Sequence, residues 1–396
     1  MPIHFASSAG PSLGVEMELA IIDPQSRELV KGAHELLIEM GEGHPDGVHP
    51  KAKPELLQST IEIITGICHS VSEARADLAA TLAEVTTYTA RRDLLLMCAG
   101  THPFSDPVHQ EITPNDRYQR LVDDMQWPAR QMQIFGIHVH VGVRSGEKAI
   151  AMVNALSAYI PHFLALSASS PYWMGQDTGL ASTRSKVFEG LPTAGPPWQL
   201  SGWAQFERFM DTLIAAKTIA SIREVWWDIR PHPGFGTVEL RICDGLPTLR
   251  EVAVVAALSQ CLVQRFDMLL DRGYTLPIPK AWVVRENKWR AARHGVGASI
   301  IVDDEGTTVP IRDALAELVE ELSPIARRLG CHAELQDTLV ILERGPSYLR
   351  QREVVADGGN LLDVVDSLVA ELRNEEGPLR RGSPLAAQQD RDGQPA

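Results

Sequence analysis

The sequence predicts an α+β protein: a half-buried sheet with one charged face, covered by amphipathic helices. Two observations predict it. Short stretches place Glu or His at alternate positions, in Gly14-Val-Glu-Met-Glu-Leu19, Ile61-Glu-Ile63, Gly136-Ile-His-Val-His-Val-Gly142 and Val238-Glu-Leu-Arg-Ile242, with Glu55 just upstream of the second. Between them run longer segments with apolar residues at helical spacing, such as Val71, Ala74, Leu78, Leu82 and Val85. Residues two apart on a strand share a face. Glu16 and Glu18, His138 and His140, and Glu239 and Arg241 should therefore line one surface, while Val15, Met17, Val139, Val141, Leu240 and Ile242 line the other.

In chain order, residues 14–23 read as a strand and 33–40 as a short helix, ending at a Gly/His/Pro-rich loop, 41–54. His44 and His49 are expected to be solvated residues of that loop. Residues 70–93 form a long amphipathic helix by their period, and 94–99 a strand. A Pro-rich loop, 101–114, precedes a helix near 118–134 interrupted at Pro128, the strand 137–143, and a helix over 148–169. Residues 171–203 turn to Gly, Pro, Ser and Trp. Loops of this length in compact proteins tend to be functional, and three Trp with Arg184 and Lys186 favour an ordered lid. Residues 226–244 hold the last charged strand, and 249–271 and 308–330 are the strongest later helices. The tail, 374–396, is polar and without apolar period, so it is expected to be disordered. One catalytic body over 1–373 is the expected organisation.

Thirty-seven basic residues against 51 acidic ones give a formal charge of −14. That balance argues against nucleic acid as a partner, because phosphate neutralisation needs a basic face. The first ten residues have neither a basic region nor an apolar run, so no secretory signal is expected, and the cytoplasm is the expected location. The apolar stretch near Val252–Val263 reads as far short of a bilayer span. Cys68, Cys98, Cys243, Cys261 and Cys331 never form a C-x-x-C pair and read as buried free thiols.

The chemistry lies in the charged wall. Magnesium takes hard oxygen ligands and keeps phosphates or water in its remaining positions. Glu16, Glu18, Glu55, Glu62 and Glu239 supply more carboxylates than one such ion needs, so two or more Mg²⁺ around a nucleoside triphosphate fit better. His138 reads either as a further metal ligand or as a strand histidine hydrogen-bonded in place. Arg241 could reach a γ-phosphate, and Arg184 suits a bidentate grip on a carboxylate. Glu286, Arg290 and Arg293, stacked at i, i+4 and i+7, read as a salt-bridged solvent face, as do Arg344, Arg350 and Arg352. No GxGxxG or P-loop pattern occurs.

Taken together, Gly14-Val-Glu-Met-Glu18, Glu55 and Glu62 in residues 54–65, Gly136–Gly142, Ser182-Thr-Arg184 and Gly236-Thr-Val-Glu-Leu-Arg-Ile-Cys-Asp244 resemble, in order, the glutamate–cysteine ligase type 2 family of carboxylate-amine ligases. Cys98-Ala-Gly-Thr-His-Pro-Phe104 and Glu286-Asn-Lys-Trp-Arg290 add to the resemblance. It implies a catalytic domain like that of glutamine synthetase, a curved, mainly antiparallel sheet forming a funnel with helices packed outside. It also implies ATP-dependent joining of an amino-acid carboxylate to an amine through an acyl phosphate, with glutamate and cysteine as the default pair. On this resemblance Glu16, Glu18, Glu62, His138 and Glu239 are metal ligands and Glu55 a further candidate. Arg241 contacts the γ-phosphate, with Lys186 a further nucleotide contact, and Arg184 holds the α-carboxylate. The partners implied are small molecules, and a homodimer is admitted.

Two other classes remain open from the residues. One is a non-haem metal oxidase or hydrolase built on His138, His140 and a carboxylate such as Glu147. The other is a non-catalytic relative that binds nucleotide as a regulator.

Overall fold

The computed structural model describes residues 3–374. Its strands are β1 (Leu13–Ile22), β2 (Ala52–Pro54), β3 (Thr60–Ile64), β4 (Leu95–Met97), β5 (Gly136–Gly142), β6 (Tyr172–Trp173), β7 (Gln176–Asp177), β8 (Ile229–His232), β9 (Thr237–Asp244), β10 (Ser299–Ile301) and β11 (Thr308–Pro310). Seven of them form one sheet in the order β2-β3-β1-β5-β9-β8, with β4 also on β1. Every pairing in it is antiparallel. The expected α+β class, an antiparallel sheet with helices outside it, is what the chain adopts.

β1 shows how the pattern makes the sheet. Leu13, Val15, Met17 and Leu19 are buried, while Gly14, Glu16 and Glu18 between them are half-buried. The apolar set packs against the helices Val71–Arg91 and Leu249–Asp271, and the neighbouring strands meet Gly146–Leu156 and Ile160–Ser167. Ser70 starts the first of these helices by accepting the Glu73 N–H at 3.2 Å, and Thr248 does the same for Leu249–Asp271 through Glu251 N–H at 3.2 Å. Such caps satisfy amides that would otherwise lack a partner. A second layer follows, with Ala281–His294 on Ile160–Ser167, and Ile311–Leu329 and His332–Arg344 on Leu249–Asp271.

Two stretches, Gly146–Ser167 and Leu249–Asp271, are long and apolar enough to cross a bilayer, contrary to the expectation drawn from the Val252–Val263 run. Their most apolar windows are 83% and 72% buried inside the fold. They are apolar all round because protein covers them on several sides.

The structure departs from the sequence reading at particular places. The 171–203 loop contains the β6–β7 hairpin and the helix Thr183–Phe188. The 308–330 helix starts only at Ile311, because Thr308–Pro310 pairs with β10. His49 is buried rather than solvated, its Nδ1 accepting from Lys51 N–H (3.2 Å) and Ala52 N–H (2.8 Å). Arg350 is not on a solvent face. It is buried between Glu251 (2.9 Å) and Glu371 (2.6 Å). The 374–396 tail lies outside the described residues, apart from Asn374, which ends the helix Leu361–Asn374. All five cysteines are free and buried, as expected.

Candidate active site

The polar face of the sheet opens into a cleft of about 450 Å³, and its register decides what meets there. Glu16 on β1 lies opposite His138 on β5 and two residues from the Gly14–His140 pair. Glu18 lies opposite Glu62 on β3, and Glu239 on β9 stands between His140 on β5 and Arg230 on β8. Neighbouring strands are about 5 Å apart, so matched positions bring their side chains into contact.

Glu16 sits between the two histidines, 2.9 Å from His138 Nδ1 and 3.2 Å from His140 Nε2. Burial would raise its pKa, but the bonds to His138 and His140 hold its carboxyl well below the ordinary range. Burial, followed by the Arg241 charge, lowers His138 to about 4, which leaves it neutral at pH 7. His140 goes the other way: burial opposes its charge, yet Glu239 and Glu16 hold its pKa above the usual value.

Glu18, Glu55 and Glu62 form the crowded part of the wall. They can bring ligand atoms within 4.8 Å of one another, as can Glu16, Glu62 and His138, and Glu16, His140 and Glu239, the histidines through a ring nitrogen. Burial and the Glu55 charge push Glu18 up to about 8. Glu55 is raised by burial, and Glu62 well above the ordinary range by burial and by the charges of Glu16, Glu55 and Glu18. Carboxylates so placed repel one another, and a divalent cation between them would reverse that cost. The residues therefore fit hard divalent ions.

Opposite them stand guanidiniums. Glu239, buried, accepts from Arg230 Nε at 2.6 Å and Nη2 at 3.2 Å and also pairs with Arg241. The two arginines hold its carboxyl well below the ordinary range against the burial that would raise it. Arg184, 3% exposed, reaches back from the helix Thr183–Phe188 to the carbonyls of Ile242 and Arg241, both at 3.3 Å. It passes directly over Gly136, where a Cβ would overlap its guanidinium. The Nε atoms of Arg184 and Arg241 are buried and without a partner among the described residues. Both side chains line the cleft, where a guanidinium suits an anion.

Of the residues expected at the site, Glu16, Glu18, Glu55, Glu62, His138, Glu239, Arg241 and Arg184 all line this cleft. Lys186 does not. It pairs with Glu189 and lies over the Trp289 ring. Glu147 is also elsewhere, close to Gly202, so the His138, His140 and Glu147 set is not assembled.

Sequence reading missed four groups. Arg230, His232, Arg117 and Arg223 line the cleft. Arg230 and His232 sit at positions of β8 that alternate as the other site strands do, but Pro231 between them reads as a break. Behind the wall lies a further missed residue, Lys288, 3% exposed. It is held by Asp228 at 2.7 and 2.8 Å and by Glu189 at 2.7 Å.

Comparison with known proteins gives these features a frame. The profile of glutamate-cysteine ligase family 2 matches residues 12–367. A protein of Frankia casuarinae, provisionally named glutamate–cysteine ligase 2-1, is 59% identical over 377 residues, which is 94% of this chain and 98% of that protein. One of Thermobifida fusca, provisionally named glutamate–cysteine ligase 2, is 56% identical over 373 residues, covering 94% of each. Among solved structures, a glutamate–cysteine ligase of Francisella tularensis in complex with AMP superposes with a TM-score of 0.68 at 13% identity, covering 98% of this chain and 94% of that one. A bifunctional glutathione synthetase of Pasteurella multocida gives 0.65 at 13% identity, covering 91% of this chain and 52% of that one. At such identities the superpositions establish a shared fold.

Proposed function

The chain belongs to the glutamate–cysteine ligase family 2, and on that premise we propose that it is an ATP-dependent carboxylate-amine ligase working at the β1/β3/β5/β9 wall. The observation that carries the reading is the pairing of crowded carboxylates, which need cations, with two guanidiniums, Arg184 and Arg241, on the lining of the same cleft. A site that holds metal ions and two anions together suits phosphoryl transfer to a carboxylate.

In this reading a carboxylate oxygen of the acid attacks the γ-phosphorus of ATP and ADP leaves. The amine then displaces phosphate from the acyl phosphate, giving an amide and inorganic phosphate. Glu16, Glu18, Glu62, His138 and Glu239 would hold Mg²⁺, with Glu55 adjoining. Bound Mg²⁺ supplies neutralisation of phosphate charge as the transferred group departs. Arg241, on the cleft wall beside Glu239, would contact the γ-phosphate, and Arg184 would hold the α-carboxylate of the acid. Capture of so activated an acyl group needs position more than a strong base, and no residue is assigned as one.

The names of its relatives put glutamate and cysteine first among the substrates to test. The experiment is ADP release with Mg²⁺ and ATP, with and without glutamate, across a panel of amines, with mass analysis of product. Release that needs both acid and amine, and a mass equal to their sum less water, is expected. Tight iron or zinc with indifference to ATP would overturn the reading in favour of an oxidase or hydrolase. ATP binding with no turnover across the panel would favour a regulator.

A further inference from the structure

The charged groups occupy only part of the cleft. Beside Glu55 and its neighbour Arg117 the lining carries an apolar stretch, with Leu121, Met132, Ile134, Leu191 and Trp226, and Arg223 at its rim. Met132, Leu191 and Trp226 are buried members of a hydrophobic cluster of their own, and Leu121 and Ile134 pack against it. The cluster is separate from the main core under the sheet, and it faces the site.

Its position along the strands is informative. Glu18 accepts the Gly136 N–H at 2.5 Å, whereas Glu16 and Gly14, further back along β1, lie opposite His138 and His140. The Gly136 end therefore holds Arg184, and the other end holds His140, Glu239 and Arg230. Arg184 also lies over the ring of Phe188, 5.7 Å from its centre, and Phe188 packs against the same apolar cluster. The apolar wall thus adjoins the group proposed to hold the acid. The Tyr118 hydroxyl in the same lining already donates to the Pro54 carbonyl at 3.1 Å.

We infer that this wall selects the amine by an apolar side chain of leucine to phenylalanine size. The inference rests on the ligase reading above and narrows its amine. Cysteine would leave such a wall largely uncovered, and one methylene more or less in an apolar pocket changes kcat/KM by about 10- to 200-fold.

The test compares L-leucine, L-phenylalanine and L-cysteine as amines, with glutamate as acid, using the full chain and the Leu121→Asp and Leu121→Ser variants. Calorimetric binding of each amine to the same proteins is measured in parallel. Expected is a kcat/KM for leucine or phenylalanine at least tenfold above that for cysteine, with tighter binding. Both variants should erase that preference and leave KM for ATP within about twofold. Equal or tighter binding of cysteine overturns the inference. So does a rise in KM for ATP with the order of amines unchanged, which would mean that the wall holds the nucleobase. Apolar amines that bind selectively while no ADP forms would count against the ligase reading and leave the wall's selectivity standing.

Discussion

Replacing Lys288 by Met should destabilise the protein strongly, and the size of the effect follows from its surroundings. The ammonium is 3% exposed and Asp228 2% exposed, with both Asp228 oxygens within 2.8 Å. Removing one partner of a buried pair leaves an uncompensated charge, at a cost of about 3–5 kcal/mol. For a large domain each kcal/mol is worth about 2–4 °C in Tm, so a fall on the order of 10 °C is expected in calorimetric or circular-dichroism melts. The double variant Lys288→Met/Asp228→Leu should recover most of it, because an apolar pair of similar volume avoids the desolvation. Burial already raises the Asp228 pKa in spite of Lys288. A raised carboxyl favours the folded state at low pH and loses that advantage as pH rises through the folded value. Glu189, whose pKa Lys288 and Lys186 lower against burial, contributes above the ordinary carboxylate range and loses it on acidification. Both effects shrink the penalty of Lys288→Met as pH falls through the carboxylate range. A Tm within 1 °C of wild type at pH 7, or a penalty that grows on acidification, would refute the reasoning.

Three further outcomes are expected. Glu239→Gln should abolish ADP formation and also lower Tm, since the same carboxylate neutralises Arg230 and Arg241; undiminished turnover would remove Glu239 from the metal set. Arg184→Lys should lower kcat/KM for the acid by about 100-fold, because an ammonium cannot reproduce the bidentate grip, and steady-state kinetics with varied acid would show it. Mg²⁺ without nucleotide should raise Tm, by up to about 2.7 kcal/mol of stability at a hundredfold excess over Kd, and Glu62→Gln should shrink that shift in a fluorescence melt.

The wall itself was legible because alternation is a strand's own signature and the charged residues repeat it on β1, β3, β5 and β9. What escaped reading was set by burial that no local pattern announces. Arg350 looks like an ordinary helix-surface arginine until the helix Leu361–Asn374 packs across its own helix and supplies Glu371. Lys288 sits in a run of alternating charges that reads as a solvent face. That holds for Arg290, which pairs with Glu286 at 2.8 Å, and fails two residues earlier, where the helix turns inward. β8 was hidden by Pro231, tolerated because β8 ends the sheet order and needs to pair on one side only.

β1 touches three other strands, β3, β4 and β5, and alternates acid with apolar residues along the half that lines the cleft. One lost or gained residue there would not merely shift the strand. It would turn Val15 and Met17 into the cleft and drive Glu16 and Glu18 into the hydrocarbon core, inverting both faces in a single event. Heredity should then treat this strand unevenly, forgiving many exchanges of one apolar residue for another but no change in its length. Descendants of this chain are free to lengthen the connections around the cleft while β1 keeps its count.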